Sequence, residues 1–267
     1  MKDHGKMKNT SESAQQFFLK DIGYSVLPGD YTPMIPLSDC HNLLKLGCWH
    51  PCKLTEEKLK FDFSNYYEVE NSLKGKRCFL IGGGSSLNDF DYSKLDNDFT
   101  ICVNHSIMKY PKAKALLYID FDFLRRRKQF VKNYKGMIFT AYRTGTHQFL
   151  NKRDNVYIFP FNNVEPQTQL NKGLYNSLLS GMCALNLALI MGANKIYLLG
   201  YDMKDIKGKT RLDIDFNMPL GKYGHDEWVQ RRIKMFNKFA KYKNRVVNCS
   251  MESALAIFEK QPIEAVL

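Results

Sequence analysis

The stretch Cys78-Phe79-Leu80-Ile81-Gly82-Gly83-Gly84-Ser85-Ser86-Leu87 sets four apolar residues against three consecutive glycines and two hydroxyls. A buried strand running into a tight turn reads this way. Glycine permits positive φ and lets another group approach the main chain closely, and free amides at the start of the next segment attract anions. Two readings stay open at this point, a phosphate-cradling loop and a plain turn. The dinucleotide fingerprint does not fit, because Leu87 stands where the last glycine belongs, and no Gly-Lys-Ser/Thr follows to make a P-loop.

Outward from this turn the chain alternates short apolar runs with helical patterns. Strands are expected at Phe99–Asn104, Ala115–Asp120, Gly136–Thr140, Asn155–Phe159, Lys195–Gly200 and Arg245–Asn248, in addition to Cys78–Ile81. Ser180–Met191 has helical abundance of apolar residues and stops at Gly192, a C-terminal cap. Trp228–Tyr242 and Met251–Glu259 read as two further helices. Strands alternating with helices imply an α/β fold, a Rossmann-like, mostly parallel sheet with helices on both faces. This domain is expected over residues 76–267. Residues 1–20 are polar and read as a mobile tail, and residues 21–75, rich in Pro, Gly and short apolar fragments, as an irregular N-terminal arm.

At 267 residues with 44% hydrophobic content, the chain can bury a core of ordinary domain size. No run reaches the roughly 18 apolar residues of a membrane span, and no signal peptide is visible. The 7 cysteines are odd in number, and Cys78, Cys102 and Cys183 sit in apolar runs, which favours reduced thiols and a cytoplasmic location. The formal net charge is +12, so the surface field draws polyanions, nucleotides or acidic membranes. Basic residues cluster in Arg125-Arg126-Arg127-Lys128, from Lys204 to Arg211 and from Arg231 to Arg245. Any one cluster is equally well a solvated surface.

In parallel sheets ligands sit at the carboxyl ends of the strands. The polar residues closing the strands are Gly82-Gly83-Gly84-Ser85-Ser86, Asn104-His105-Ser106, Asp120-Phe121-Asp122, Thr140 and Gly200-Tyr201-Asp202. The order IGGGSSLNDFDYSKLDNDFTICVN, then SGMCALNLALIMGANKIYLLGYDM, then KYGHDEW resembles the bacterial sialyltransferases of glycosyltransferase family 42. A second, weaker resemblance is to the archaeal pterin pyrophosphokinase-like family. The first covers about residues 76–258 and rests on the order of individually modest motifs.

The resemblance implies a nucleotide-sugar donor. Gly82, Gly83, Gly84, Ser85 and Ser86 would hold its phosphate and ribose, Asn104 would hydrogen-bond it, and Ser180 and Gly181 would set a helix N-terminus against the base or phosphate. His225 would match the general base that takes the proton from the acceptor hydroxyl, a role an imidazole can fill at neutral pH.

Two departures from the family pattern bear on chemistry. Asp120-Phe121-Asp122 stands where family members carry Asn-Pro-Gly. A D-x-D pair could hold Mg²⁺ or Mn²⁺ against a diphosphate; alternatively Asp120 binds a ribose hydroxyl and Asp122 caps a helix. The tyrosines that follow the family's Gly-x-Asp are missing, and Lys204 takes the first of those places, able with Lys207, Lys209 and Arg211 to neutralise a departing phosphate. A nucleotide sugar other than CMP-sialic acid then fits at least as well. Outside this core, Cys40, Cys48, His50 and Cys52, with His41 beside them, form a candidate structural zinc set that lacks any C-x-x-C pair.

The sequence thus points to a glycosyltransferase using a nucleotide sugar, with Gly82–Ser86, Asn104, Asp122, Ser180, Gly181 and Asp202 around the donor and His225, Asp120 and Lys204 in catalysis. The acceptor is a cell-surface glycan or, given the positive charge, a hydroxymethylated base in DNA. The competing readings are a Mg²⁺-dependent pyrophosphokinase using Asp120, Asp122 and Asp202, and a nucleotide-binding protein without catalysis.

Overall fold

The computed structural model describes residues 69–141, 153–159, 165–169, 173–175, 179–204 and 225–267, together with short strands at 4–5, 7–9, 15–19, 22–26, 35–36, 49–51 and 161–162. The chain divides into two units, Met1–Asp62 with Tyr142–Asp154, and Phe63–Ala141 with Asn155–Leu267. In the first unit the described residues form three antiparallel pairs: His4–Gly5 with Ile35–Pro36, Met7–Asn9 with Trp49–Pro51, and Gln15–Leu19 with Ile22–Val26.

The second unit is built on an eight-stranded sheet. Its strands are β1 (Arg77–Ile81), β2 (Phe99–Val103), β3 (Ala115–Tyr118), β4 (Met137–Ala141), β5 (Val156–Phe159), β6 (Lys195–Leu199), β7 (Val246–Asn248) and β8 (Glu259–Lys260). They lie in the order β5-β4-β3-β2-β1-β6-β7-β8. All neighbours are parallel. Among the described residues three α-helices accompany them, α1 (Phe121–Asn133), α2 (Ser180–Ile190) and α3 (His225–Phe236). The fold is therefore α/β with a Rossmann-like parallel sheet.

The period of two along each strand divides the core. Cys78, Leu80, Ile101, Val103, Leu117, Phe139, Ile196 and Leu198 pack into one apolar cluster with α2 and with Phe236 and Phe239. The alternate residues Phe79, Ile81, Cys102, Leu116, Tyr118, Ile138 and Leu199 are equally buried on the opposite face, where the Tyr118 ring meets Phe123 of α1 at 5.3 Å. Strands covered on both sides read as unbroken apolar runs, which is why they stand out in the sequence. The buried Cys78, Cys102 and Cys183 form no disulfide among the described residues, and burial pushes the Cys102 thiol up to about 12.

Helix α2 is buried nearly all round. It ends as expected at Gly192, whose φ of +76° allows the Ala193 amide to reach back to the Ala188 carbonyl at 3.1 Å. One polar side chain inside it is fully buried: Asn186 accepts from the Tyr175 amide at 2.7 Å and donates to the Gln167 carbonyl at 2.6 Å. It thereby anchors the connection that crosses from β5 back to β6.

Two expectations give way. The single helix over 228–242 is α3 followed by 3₁₀ turns over Asn237–Arg245. Residues 251–258 are not helical. Their backbone groups go elsewhere: the Ala254 amide bonds to the Asp202 carbonyl at 2.8 Å, the Leu255 amide to Ser253 Oγ at 3.0 Å, and Ser253 Oγ donates to the Tyr201 carbonyl at 2.7 Å. Serine side chains that capture nearby backbone groups compete with helix formation.

Replacing Asn186 with Ala would leave the buried Tyr175 amide unpaired and take a partner from the half-buried Gln167 carbonyl. The expected loss is about 1–3 kcal/mol, read as a lower urea midpoint at unchanged m-value.

Candidate functional site

The sheet order reverses direction between β1 and β6, so the chain leaves these adjacent strands toward opposite edges. The carboxyl ends of such a pair open a crevice. The glycine turn lies at that point and is tied to the end of β6. The Gly82 amide donates to the Leu199 carbonyl at 2.7 Å and the Gly84 amide to the Gly200 carbonyl at 2.8 Å. The Ser86 amide and hydroxyl donate to the two oxygens of Asp202 at 2.9 and 2.6 Å.

Each glycine has a different reason. A Cβ on Gly82 would stand 2.6 Å from the Gly200 carbonyl oxygen, and one on Gly84 would run into the Asp202 carboxylate. Both glycines serve close packing of protein on protein. Gly83 is exposed, a Cβ there would meet nothing within 4 Å, and its amide has no partner among the described residues. Gly83 is thus the one glycine of the three that is open to solvent. The positive φ anticipated in this turn is found across the crevice instead, at Gly200 with φ +66°.

The loop after β7 completes the junction. Ser250 Oγ accepts from the Gly200 amide at 3.0 Å and lies 3.3 Å from Ser86 Oγ. Ser250 and Ser253 escaped sequence reading because a strand followed by serines looks like an ordinary loop. Their one signal was the density of hydroxyls just beyond Val246–Asn248. Ser106, likewise buried, donates to the Ile81 carbonyl at 2.7 Å and accepts from the Val103 amide at 2.9 Å, holding β2 against the root of the glycine turn.

Two strands further along, three polar side chains from distant parts of the chain converge. Asn104, at φ +52° just after β2, directs Nδ2 to Asp120 Oδ2 at 2.7 Å and to Ser180 Oγ at 3.1 Å. Ser180, the first residue of α2, donates its hydroxyl to the same Asp120 Oδ2 at 3.0 Å. Asn tolerates the left-handed backbone that this position imposes. Arg232 of α3 lies in the electrostatic field of Asp120. Burial lowers its pKa, opposed by the charge of Asp120, with Arg231 adding to the lowering. In the sequence Arg232 is marked only by the basic run from Arg231 to Arg245.

The remaining expected residues are placed as follows. Partial burial pushes the Asp122 carboxyl up, but hydrogen bonds and charge from Arg125 and Arg126 outweigh it and hold the group below its usual range; both partners stand at 2.7 Å. Asp120 and Asp122 are therefore engaged with separate partners. Lys204 lies 3.7 Å from Glu252 just beyond β6. Gly181 packs under Tyr201, whose hydroxyl donates to the Gly181 carbonyl at 3.0 Å. His225 opens α3. Ser85 is buried within the turn. Among the described residues no cluster of three or more His, Cys, Asp or Glu is placed to hold a metal. Of the candidate zinc ligands, Cys40, Cys48 and Cys52 lie outside the described residues, and His50 falls in the strand Trp49–Pro51. Lys207, Lys209 and Arg211 are also outside the described residues.

Two open clefts, of about 500 and 490 Å³, lie at the other end of the sheet. They are bordered by Lys112, Lys114 and Lys135 in one case and by Lys76, Arg77 and Lys114 in the other. They are removed from the carboxyl-end crevice.

No family model and no curated protein matches the chain. Among solved structures, the chain is similar to the sialyltransferase CstII from Campylobacter jejuni, in a structure described as a complex with a substrate analogue, cytidine-5'-monophosphate. The identity is 18% over 69% of this chain and 84% of that one, with a TM-score of 0.37. Among the described residues no helix is long and apolar enough to cross a membrane.

The glycines separate by substitution. Gly84→Ala should destabilise the fold by about 1–3 kcal/mol through overpacking. Gly83→Ala should leave the melting temperature unchanged or slightly raised, because it lowers the entropy of the unfolded chain. Thermal unfolding of the two variants side by side checks this.

Proposed function

We propose that the protein is a glycosyltransferase that binds a nucleotide sugar in the crevice over β1 and β6 and passes the sugar to a hydroxyl acceptor. The observation that carries this reading is the convergence of Asn104, Asp120 and Ser180 beside a glycine turn at the switch point of a parallel sheet. Packing does not require polar residues from three separate segments to meet there, whereas a ligand does. The order of motifs that resembles glycosyltransferase family 42 supports the same reading.

In this reading the Gly83 amide takes a donor phosphate oxygen, and Lys204, just beyond β6, supplies a cation for the charge that develops as the nucleotide departs. Arg232 stays in the field of Asp120 at the sugar end. Position 225 lies two turns before position 232, on the same stripe of α3 and roughly 10 Å along its axis. His225 is thereby assigned the general base, taking the acceptor proton as the hydroxyl attacks the anomeric carbon. Asp202 and Ser86 keep the turn in shape rather than touching the donor. The acceptor is a hydroxyl on a glycan or on a modified base in a nucleic acid; the net charge of +12 favours an anionic one.

A pyrophosphokinase would need Asp120, Asp122 and Asp202 to hold Mg²⁺ together. Asp202 is occupied by Ser86 and Asp122 by Arg125 and Arg126, which disfavours that reading.

Nucleotides and nucleotide sugars, each with and without Mn²⁺, should be screened by thermal shift. A ligand at 100 times its Kd should add about 2.7 kcal/mol of stability. His225→Ala should retain that shift and lose about 10²-fold or more of transfer rate. Undiminished transfer in His225→Ala removes the base assignment. Binding without transfer to any hydroxyl leaves a nucleotide-binding protein, and no shift with any nucleotide ends the reading.

A further inference from the structure

The corner formed by Asn104, Asp120 and Ser180 has three hydrogens to donate, two on the Asn104 amide and one on the Ser180 hydroxyl. All three are spent inside the corner. The amide gives one to Asp120 Oδ2 and one to Ser180 Oγ, and the hydroxyl gives its own to Asp120 Oδ2. The oxygens that remain are acceptors. Asp120 Oδ1 accepts nothing from the described residues, the residue itself is exposed, and behind it the buried Asn104 Oδ1 has no hydrogen-bond partner among the described residues. The carboxylate also stands at the N-terminus of α2, bonded to its first side chain, so the partial positive charge there is already answered by the protein's own anion.

From this we infer that Asp120 sets the class of sugar. The corner receives a group that brings its own hydrogens, hydroxyls or an amine, and rejects one that offers only lone pairs and negative charge. The donor is a neutral or amino sugar nucleotide, and a sugar bearing a carboxylate is excluded by unpaired acceptors and like charge. Arg232 does not reverse this. It lies half-buried on α3 with Asp120 already in its field, so an incoming carboxylate would compete for it with an anion that is covalently fixed in place. The inference rests on the glycosyltransferase reading and concerns only which sugars it admits.

The test compares donors that share a nucleotide and differ in a carboxylate: UDP-glucose with UDP-glucuronate, and GDP-mannose with GDP-mannuronate. UMP, GMP and CMP are run beside them by isothermal titration on the full chain. Wild type should bind the neutral member of the pair whose nucleotide it accepts about tenfold or more tightly than the acidic member. Asp120→Asn, which replaces a charge and an acceptor with an amide, should close that gap chiefly by gaining affinity for the acidic sugar. Ser180→Ala retains the carboxylate while freeing one Asn104 hydrogen, so it should keep the neutral sugar ahead by a smaller margin, which keeps the comparison informative if Asp120→Asn proves unstable. Equal or tighter binding of the acidic sugar by wild type overturns the inference, as does a gap that survives in Asp120→Asn or vanishes equally in Ser180→Ala. In those cases nucleotide binding itself persists and the glycosyltransferase reading stands. If no nucleotide or nucleotide sugar binds at all, that reading falls and the inference with it.

Discussion

The hydrogen-bonded pair of Ser86 and Asp202 is the constraint on which the crevice depends. A parallel sheet that reverses its winding must send two chain segments away from adjacent strand ends, and those ends need side chains to replace the ladder. Ser86 answers both oxygens of Asp202, Ser250 answers the Gly200 amide, and the Gly84 amide answers the Gly200 carbonyl. Buried polar groups at a junction of this kind are costly unless each is satisfied. With Asp202 only 2% exposed, its two bonds to Ser86 are what make a carboxylate tolerable there. The absence of a Cβ at Gly84 follows from the same geometry.

Much of the sheet was legible in the sequence for a simple reason. Strands buried on both faces carry no polar alternation, so Cys78–Ile81 and Lys195–Leu199 appear as short apolar blocks bounded by glycine and charge. The two helical misreadings have a different origin. Residues 251–258 contain enough apolar side chains to suggest a helix, but Ser250 and Ser253 bind the end of β6, a long-range demand that local pattern does not encode. In the site, the polar strand ends mark Asn104, Asp120 and Asp202 as residues of one edge, and Ser180 enters only through the family resemblance. What they could not reveal was the division of labour: Asp202 turns inward to Ser86, whereas Asp120 stays exposed. That distinction depends on hydrogen-bond partners 60 to 116 residues apart in sequence.

The basic surface also resolves into unlike parts. Arg125 and Arg126 are held by Asp122 within the first turns of α1, as expected of helix-surface pairs that add only a few tenths of a kcal/mol. Lys76, Lys112, Lys114 and Lys135 border the clefts at the amino edge of the sheet. Helices of a parallel α/β fold end at that edge, and lysines there answer the negative ends of helix dipoles. Those four lysines lie at the far end of the sheet from the crevice, whereas Arg232 is partly desolvated in the field of Asp120.

This separation gives the crevice an internal polarity. At the β1–β6 end stands an open glycine with an unused amide, suited to an anion. About 10 Å away, two strands along, stands a corner whose hydrogens are spent and whose remaining oxygens only accept. A phosphate fits the first and is repelled by the second; a ring of hydroxyls fits the second and has no special claim on the first. A nucleotide sugar carries both kinds of group at a separation of that order, whereas a free phosphate or a free sugar carries one. On the proposed reading the phosphate would lie toward Gly83 and the hydroxyl-bearing part toward Asp120, which would set the bond between them over β2.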